Sequence, residues 1–346
     1  MNKTMRTPNT SLRDRVVVIT GASSGIGRET AVQFASLGCR VVLAARREGN
    51  LRDVAILCEA VGGEALVVVT DVTSEAEVNR LAETAVRELG RIDIWINNAG
   101  VTLFGFLDEG PFSAHRRVIE TNVLGAMLCA RAVLPRFKAQ GFGTLVNVGS
   151  LLSKVAQPFV PSYVISKFAL RGLTEALRAE IAEHEDIHVC SVFAFASDTP
   201  HFEEGANFRG KRPHPISPIQ SPETIARAIV DLAAHPRHEV HVPSYMVLGV
   251  AVHQLFPRTV ERVLLRTLSR FHFDDEPEQD NEGNLTSPSM QDGTVHGSRP
   301  PLASMATLVA WSVAELLKIE ASTLAREVRG WKRLVTSKRT ASVEAL

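Results

Sequence analysis

The chain has 346 residues, of which 45% are hydrophobic and 22% charged, and its formal net charge is zero. This composition is typical of a globular protein with a large core, and the neutral charge gives no reason to expect a nucleic-acid partner. The eleven histidines and four cysteines show no zinc-ligand spacing, so we expect no bound metal.

Short apolar runs alternate with helical patterns along most of the chain, which predicts an α/β fold with a doubly wound parallel sheet of about seven strands. The expected strands lie near 15–19, 40–44, 65–69, 92–96, 144–148, 188–193 and 238–242. Four segments follow from this pattern: a polar N-terminal tail, a Rossmann-type domain, a Ser/Pro/Gly-rich linker that is disordered or draped over the surface, and a helical extension. Their predicted ranges are 1–13, 14–273, 274–301 and 302–346.

The first predicted strand runs into a glycine-rich turn, and apolar residues at helical spacing follow it. Glycines at such a turn permit a tight bend and let a pyrophosphate approach the N–H groups of the helix N-terminus. A Gly/Ser turn without a ligand is the alternative interpretation. The predicted dinucleotide-binding residues of this turn are Gly21, Ser23, Ser24, Gly25, Ile26 and Gly27.

The end of the second predicted strand carries Arg46 and Arg47 and no carboxylate. A carboxylate there suits the ribose hydroxyls of NAD, whereas a guanidinium binds the 2′-phosphate of NADP. We therefore expect NADP(H), with NAD(H) as the alternative. The competing interpretation is that both arginines are solvated loop charges.

Tyr163 and Lys167 lie four residues apart in a segment with helical periodicity, so their side chains share one helix face. An ammonium beside a phenol favours the phenolate and is expected to lower the tyrosine pKa from about 10 toward neutrality. Such a tyrosine can exchange a proton with a substrate oxygen. A solvated surface pair is the alternative, and it is the commoner meaning of this motif in isolation.

The glycine-rich turn, the sequence Asn97-Asn98-Ala99-Gly100 after the fourth predicted strand, and the Tyr-x-x-x-Lys motif occur in a fixed order. In this respect the chain, from about Asp14 to about Val242, resembles the single-domain short-chain dehydrogenases/reductases. The resemblance implies that Ser150 binds the substrate oxygen, that Asn122 holds a water linked to Lys167, and that Lys167 also holds the nicotinamide ribose. It implies further cofactor contacts from Asp71, Val72, Asn98, Ala99, Gly100 and Thr199.

The activity implied by the resemblance is NADP(H)-dependent interconversion of an alcohol and a ketone or aldehyde, with Tyr163 as general acid or base. It also implies a homodimer or homotetramer formed through the helices 112–139 and 163–184. The chain departs from the family at Ala194 and Phe195, which replace a Pro-Gly pair. This departure favours the alternative, a non-catalytic cofactor-binding or scaffold protein.

The C-terminal extension is predicted to be an amphipathic helix over 302–335, with an apolar stripe and a basic end. We expect the stripe to cover the domain or a partner subunit, and peripheral contact with a membrane surface is the alternative. The polar first residues lack the apolar core of a signal peptide, which favours a cytoplasmic location. The stripe is formed by Leu317, Leu324, Val328, Trp331 and Val335.

Overall fold

A computed structural model of the protein describes residues 12–289 and 293–319. The strands in this part of the chain are β1 Val16–Thr20, β2 Arg40–Ala45, β3 Glu64–Val69, β4 Ile94–Asn97, β5 Leu103–Phe104, β6 Gly143–Ser150, β7 Ile187–Ala194, β8 Ala206–Asn207, β9 Lys211–Pro213, β10 Glu239–Val242 and β11 Phe273–Pro277. Seven of them form one parallel sheet in the order β10-β7-β6-β4-β1-β2-β3, which confirms the predicted fold class.

Helices cover both faces of this sheet. They are α1 Gly25–Ser36, α2 Glu48–Ala60, α3 Glu75–Leu89, α4 Phe112–Ile119, α5 Gly125–Gln140, α6 Pro161–Glu180, α7 His201–Glu204, α8 Pro222–Ala234, α9 Met246–Leu255, α10 Pro257–Phe271 and α11 over 305–319. The strand order reverses at β1, where β2 and β3 lie on one side and β4 and β6 on the other. In open parallel sheets a ligand cleft forms outside the carboxyl ends of the strands at such a point.

The buried strands explain why the sequence shows continuous apolar runs instead of alternation. In β1, Val17 and Ile19 join a hydrophobic cluster with α1 and α8, whereas Val16 and Val18 join a second cluster with α3 and α5. All four side chains are fully buried. Apolar residues are therefore required at successive positions, as expected for a parallel sheet covered on both faces.

The single helix predicted over 112–139 is interrupted by a π-helical turn, Glu120–Leu124, between α4 and α5. One wide turn of this kind adds a residue to the helix and is frequent at functional sites. By length and composition alone, Phe112–Gln140 is the one helix among the described residues that could cross a membrane, but 56% of its apolar window is buried inside the fold. Buried core helices of soluble proteins meet the same criteria of length and composition.

The predicted linker, 274–301, packs on the domain wherever it is described. It begins as β11, which pairs antiparallel with β9, and then crosses the surface near the carboxyl ends of β1 and β2. Of the two alternatives for this segment, the described residues agree with a segment draped over the surface, because backbone hydrogen bonds and buried Leu285 hold them in place. Of the predicted C-terminal helix, α11 is described, and Leu324, Val328, Trp331 and Val335 lie outside the described residues.

A buried carboxylate joins the start of β1 to the start of β4. Asp93 accepts hydrogen bonds from Arg15 at 2.7 Å, from Arg91 at 2.9 Å and from the Val16 N–H at 2.9 Å. We expect Asp93→Ala to lower the free energy of unfolding by about 3 kcal/mol, because removing one partner of a buried pair leaves the others unsatisfied. Urea denaturation measures this change.

Asp231→Ala is the matched control for the Asp93 prediction. Asp231 forms an ion pair with Arg237, but both side chains are about half exposed. Exposed pairs contribute less than about 1 kcal/mol, so this substitution is expected to leave the urea midpoint nearly unchanged. Equal effects of the two substitutions would contradict the structural role of Asp93.

Candidate active site

The glycine-rich turn bends between β1 and α1, and its glycines are required by close packing. The φ angles of Gly21 and Gly25 are +67° and +53°, which side chains with a Cβ rarely adopt. A Cβ at Gly21 would lie 2.8 Å from the Ala99 Cα, and one at Gly27 would lie 2.2 Å from the Gly21 carbonyl oxygen. The turn therefore fits closely against the segment that follows β4.

That segment, Asn97–Gly100, is tied to the turn by the side chain of Asn98. Its amide nitrogen donates to the carbonyl oxygens of Thr20 and Gly21, both at 3.1 Å. In return, the Thr20 hydroxyl accepts from the backbone N–H groups of Asn98 and Ala99. These hydrogen bonds hold the ends of β1 and β4 together. Gly100 lies at the inner end of this contact, beside the Lys167 amine.

Ser150, Tyr163 and Lys167 meet at the carboxyl end of β6. Ser150 is the last residue of that strand, and its hydroxyl lies beside the Tyr163 phenol, where it accepts a hydrogen bond from the Leu152 N–H at 3.1 Å. Lys167 lies one helical turn beyond Tyr163 in α6, with its Nζ 5.4 Å from the centroid of the tyrosine ring. The Nζ donates to the carbonyl oxygen of Val148 at 3.0 Å, which fixes it beneath the site.

The ionisation of this group differs from the expectation. Burial raises the pKa of the Tyr163 phenol to about 12, and the neighbouring Ser150 hydroxyl offsets only part of that rise. Burial also lowers the pKa of the Lys167 ammonium to about 8. The prediction that Lys167 brings the Tyr163 pKa toward neutrality is therefore wrong for this arrangement, because desolvation of the phenolate outweighs the attraction of the amine. At pH 7 the phenol keeps its proton.

Asn122 lies in the π-helical turn and is buried. Its Oδ1 accepts from the Val101 N–H at 2.8 Å, and its Nδ2 donates to the Val101 carbonyl and the Ser166 hydroxyl, both at 2.9 Å. The side-chain amide therefore holds the loop after β4 against α6, one residue from Lys167. A water linked to Lys167 would have to use the main chain of Asn122 instead of its side chain.

Both arginines after β2 are engaged with protein groups. Arg46 donates to the backbone carbonyls of Asn284, Leu285 and Thr286, at 2.6, 3.2 and 3.3 Å. Arg47 donates to the Ser24 hydroxyl at 2.7 Å and to the Glu204 carboxylate at 2.5 Å. Neither residue is the solvated loop charge of the alternative interpretation.

Asp71 lies after β3, beside the same end of the cleft. Although burial alone would raise its pKa, hydrogen bonds from Thr73 and the charge of Arg117 hold the pKa of the Asp71 carboxyl below its usual range. Arg117, which the sequence analysis missed, donates to that carboxylate at 2.9 Å from α4. The N-terminus of α3 is capped by Ser74, whose hydroxyl accepts from the Glu77 N–H.

One cavity runs from the glycine-rich turn to Tyr163, and the predicted cofactor residues other than Gly27 line it together. Its wall at the outer end includes Ser23, Ser24, Ile26, Arg46, Asp71 and Val72, and the inner end includes Gly100, Ser150, Lys167 and Thr199. The cavity thus joins a glycine-rich turn at the N-terminus of a helix to the Ser-Tyr-Lys set, and these residues could hold the two ends of an extended dinucleotide.

The cavity widens beyond Tyr163 into an apolar region. Phe195 extends β7 by a hydrogen bond to Val242 and packs with Leu151 and Val155. The ring of His201 lies 5.5 Å from the ring of Tyr163, and burial together with Lys167 lowers the pKa of His201 to about 4. The sequence analysis did not predict a site role for His201. Its only recognisable feature in the sequence is its position directly after Thr199-Pro200. Further lining residues are Phe104, Val160, Phe202, Ile216, Leu264, Leu268 and His272.

A doubly wound domain with these side chains at the carboxyl ends of its strands is the architecture of a dinucleotide-dependent oxidoreductase. Residues 15–208 match the family model described as short chain dehydrogenase. The chain belongs to the short-chain dehydrogenase/reductase family, as its motifs predicted, and it is an oxidoreductase of the NAD(P)-dependent type.

Relatives extend the comparison beyond the family core. A Bacillus subtilis protein, named uncharacterized oxidoreductase YxnA, is 34% identical over 325 residues, which cover 88% of this chain and 91% of the relative. Human dehydrogenase/reductase SDR family member 7 is 36% identical over 191 residues, covering 54% of this chain and 56% of the human protein. The Bacillus match therefore includes much of the C-terminal part of the chain.

Solved structures of the family match the α/β domain. A Burkholderia phymatum short chain dehydrogenase/reductase in complex with NAD has a TM-score of 0.64 and 26% identity, covering 70% of this chain and 94% of its own. An alcohol dehydrogenase from the archaeon Thermococcus sibiricus, complexed with 5-hydroxy-NADP, has a TM-score of 0.59 and 27% identity, covering 66% and 96%. About a third of this chain lies outside each match.

Proposed function

We propose that the protein is an NADP(H)-dependent carbonyl reductase that interconverts an apolar ketone or aldehyde and the corresponding alcohol. The observation that carries this proposal is the single cavity that joins the glycine-rich turn to Ser150, Tyr163 and Lys167. A dinucleotide seated along it would supply the hydride at the end occupied by these three side chains.

Ser150, Tyr163 and Lys167 have different roles toward the transferred proton and the substrate carbonyl oxygen. Tyr163, protonated at pH 7, donates its proton to the carbonyl oxygen as negative charge develops there. The Ser150 hydroxyl, at the end of β6, donates a hydrogen bond to the same oxygen. Lys167 holds the ribose hydroxyls and stabilises the phenolate left after proton transfer. A protonated phenol is the form required for carbonyl reduction.

The preference for NADP(H) is supported by the charges near the adenosine end of the cavity. Arg46 and Arg47 follow β2, and Arg117 lies across the same opening beside Asp71. A guanidinium forms paired, charge-assisted hydrogen bonds with a phosphate. We propose Arg46 as the residue that contacts the 2′-phosphate, after it exchanges its present carbonyl partners.

The substrate class is inferred from the apolar region beyond Tyr163. His201 and His272, which line it, are neutral at pH 7, because burial lowers the pKa of each to about 4. Phe195 lines the same cavity and packs against Leu151 and Val155, so the replaced Pro-Gly pair contributes to the apolar wall. A carboxylate placed there would lose its hydration without gaining a cation beyond the catalytic lysine.

We therefore expect the chain, supplied with NADPH, to reduce alkyl aryl or alicyclic ketones with kcat/KM at least about tenfold above keto acids of similar size, which is about 1.4 kcal/mol. Loss of NADPH absorbance measures the rates. A preference for the keto acids would contradict the apolar substrate site, and no reduction of any carbonyl would contradict the proposed function.

Assembly into dimers or tetramers is supported by the outer faces of α5 and α6. Leu124, Met127, Ile165 and Phe168 are each between 42% and 53% exposed, although they are large and apolar. Two such helices from each of two subunits would bury these side chains together. We propose a homodimer built on these helices, with peripheral membrane contact through the C-terminal extension as a separate possibility to be tested by vesicle pelleting.

A further inference from the structure

A segment of the C-terminal part crosses the opening of the cofactor cleft. We call it the strap, and it consists of the described residues 282–289 and 293–299. Leu285 fastens its first part, because the side chain is 1% exposed and packs in a hydrophobic cluster. The other members of that cluster are Val101, Leu103, Ala114, Val118 and Ala206.

The strap is bonded to the groups that face a dinucleotide. The Thr294 carbonyl accepts from the N–H of Gly25, the first residue of α1, at 2.9 Å, and the Gly293 carbonyl accepts from Arg28. The carbonyls of 284–286 take the hydrogen bonds of Arg46, and Arg117 adds a bond to the Leu285 carbonyl at 3.1 Å. Asn284, Pro288 and Ser289 form part of the cavity wall.

Charged groups hold the second part of the strap beside Thr199. The ring nitrogens of His296 contact Asp198 and Glu223, each at 2.8 Å. The Glu203 carboxylate accepts from the backbone N–H groups of Ser298 and Arg299, at 2.6 and 3.0 Å. These contacts fix the strap at the side of the cleft that leads toward Tyr163.

Some buried polar atoms at the contact between the strap and the domain have no hydrogen-bond partner. Among the described residues, Arg28 Nε, Glu203 Oε2 and Asn284 Oδ1 are buried side-chain atoms without a hydrogen-bond partner, and all three belong to residues of this contact. Buried polar groups left unpaired destabilise the state that buries them. The contact between the strap and the domain therefore combines specific bonds with buried polar atoms that have no partner.

We propose that the strap is a gate that closes the empty dinucleotide cleft and must move off the glycine-rich turn before the cofactor can bind. The inference rests on the dinucleotide-binding part of the proposed function. A backbone N–H of the glycine-rich turn and the donors of Arg46 bind the strap now, and a cofactor that needs them must displace it. Opening of the strap therefore limits association, and closure lowers the apparent affinity for either dinucleotide.

The His296 anchor makes closure pH-dependent. Hydrogen bonding to Asp198 and the charge of Glu223 raise the pKa of His296 above its ordinary value, against a smaller effect of burial. These two carboxylates, from the loop after β7 and from α8, are the charged groups that bear on the ring. The protonated form stabilises closure fully below pH of about 6.5, and that contribution is lost as pH rises through the raised pKa.

Stopped-flow fluorescence of NADPH and of NADH tests the gate without requiring turnover. His296→Ala removes a charged anchor, and Gly293→Ala places a methyl group 2.2 Å from the Ser23 carbonyl oxygen, which forces the strap outward. We expect each variant to raise the association rate constant by about tenfold and to leave the dissociation rate constant nearly unchanged, because a charge-assisted anchor is lost or the contact is wedged open. In the wild type, the association rate constant should rise between pH 6 and pH 8.5, and His296→Ala should remove that rise.

Matched controls lie away from the cleft. His235 contacts Asp231 in α8 in the same manner, and Gly172 has open space where a Cβ would stand, so His235→Ala and Gly172→Ala should leave both rates unchanged. Unaltered association rate constants in both strap variants would overturn the gate while leaving the proposed chemistry intact. If the wild type bound neither dinucleotide, the gate and the proposed function would both be overturned.

Discussion

Tyr163→Phe is expected to lower kcat for carbonyl reduction by about 10²- to 10⁴-fold, the range that a positioned general acid contributes. The phenol is buried beside Ser150 and the Lys167 amine, and its raised pKa keeps the proton available at pH 7. Phenylalanine preserves the ring and its packing but has no proton to give. Steady-state rates with NADPH and an apolar ketone measure the loss.

Two accompanying measurements assign the loss to proton transfer. The Kd for NADPH, read from cofactor fluorescence, should change less than about threefold, since the phenol hydroxyl is a small part of the dinucleotide contact surface. Tyr245→Phe is the matched control, because Tyr245 is the other tyrosine of the chain and its side chain is 57% exposed. If Tyr163→Phe retained most of its rate, Tyr163 would not be the proton donor.

Arg46→Asp is expected to raise the Kd for NADPH by about 10- to 100-fold more than the Kd for NADH, because a charge-assisted bond to a phosphate contributes about 1.5–3 kcal/mol. An aspartate at the end of β2 also suits the free ribose hydroxyls of NAD. Release of the strap by this substitution affects both cofactors alike and cancels in the ratio. Fluorescence titration gives both constants.

Arg52→Asp is the control for the cofactor prediction. Arg52 lies on the next helix, is exposed, and pairs with Glu48 in an i,i+4 arrangement. Its replacement should leave the ratio of the two dissociation constants within about twofold of the wild type. Equal weakening of NADPH and NADH by Arg46→Asp would remove the argument for a 2′-phosphate contact.

Local pattern was sufficient to predict the sheet and most of the site. The β-branched run 15–19 and the glycine-rich turn after it determine a strand, a bend and a helix from neighbouring residues alone. The carboxyl ends of parallel strands meet at one edge, so residues at the ends of β1, β4 and β6 were bound to lie close together. The structure brings Gly21, Asn98 and Ser150 to one cavity for that reason.

The features that the sequence did not reveal depend on contacts between distant segments. The strap has few apolar residues, and its order comes from Leu285 and from donors such as Arg46, which lies more than 200 positions earlier. The pKa of Tyr163 is dominated by burial, which a helical i,i+4 spacing does not report. His201 approaches Tyr163 only because the chain folds back after β7.

The fate of an isotopic label tests the central claim most directly. The chain would be supplied with reduced dinucleotide carrying deuterium at C4 of the nicotinamide, one stereoisomer at a time, together with an apolar ketone. With one of the two isomers, we predict an alcohol that carries a single deuterium on the carbinol carbon, as seen by mass spectrometry, and formation of that alcohol should fall by at least about 10²-fold in Tyr163→Phe. Alcohol formed without deuterium from either isomer, or formed equally fast by the variant, would contradict hydride transfer assisted by this tyrosine.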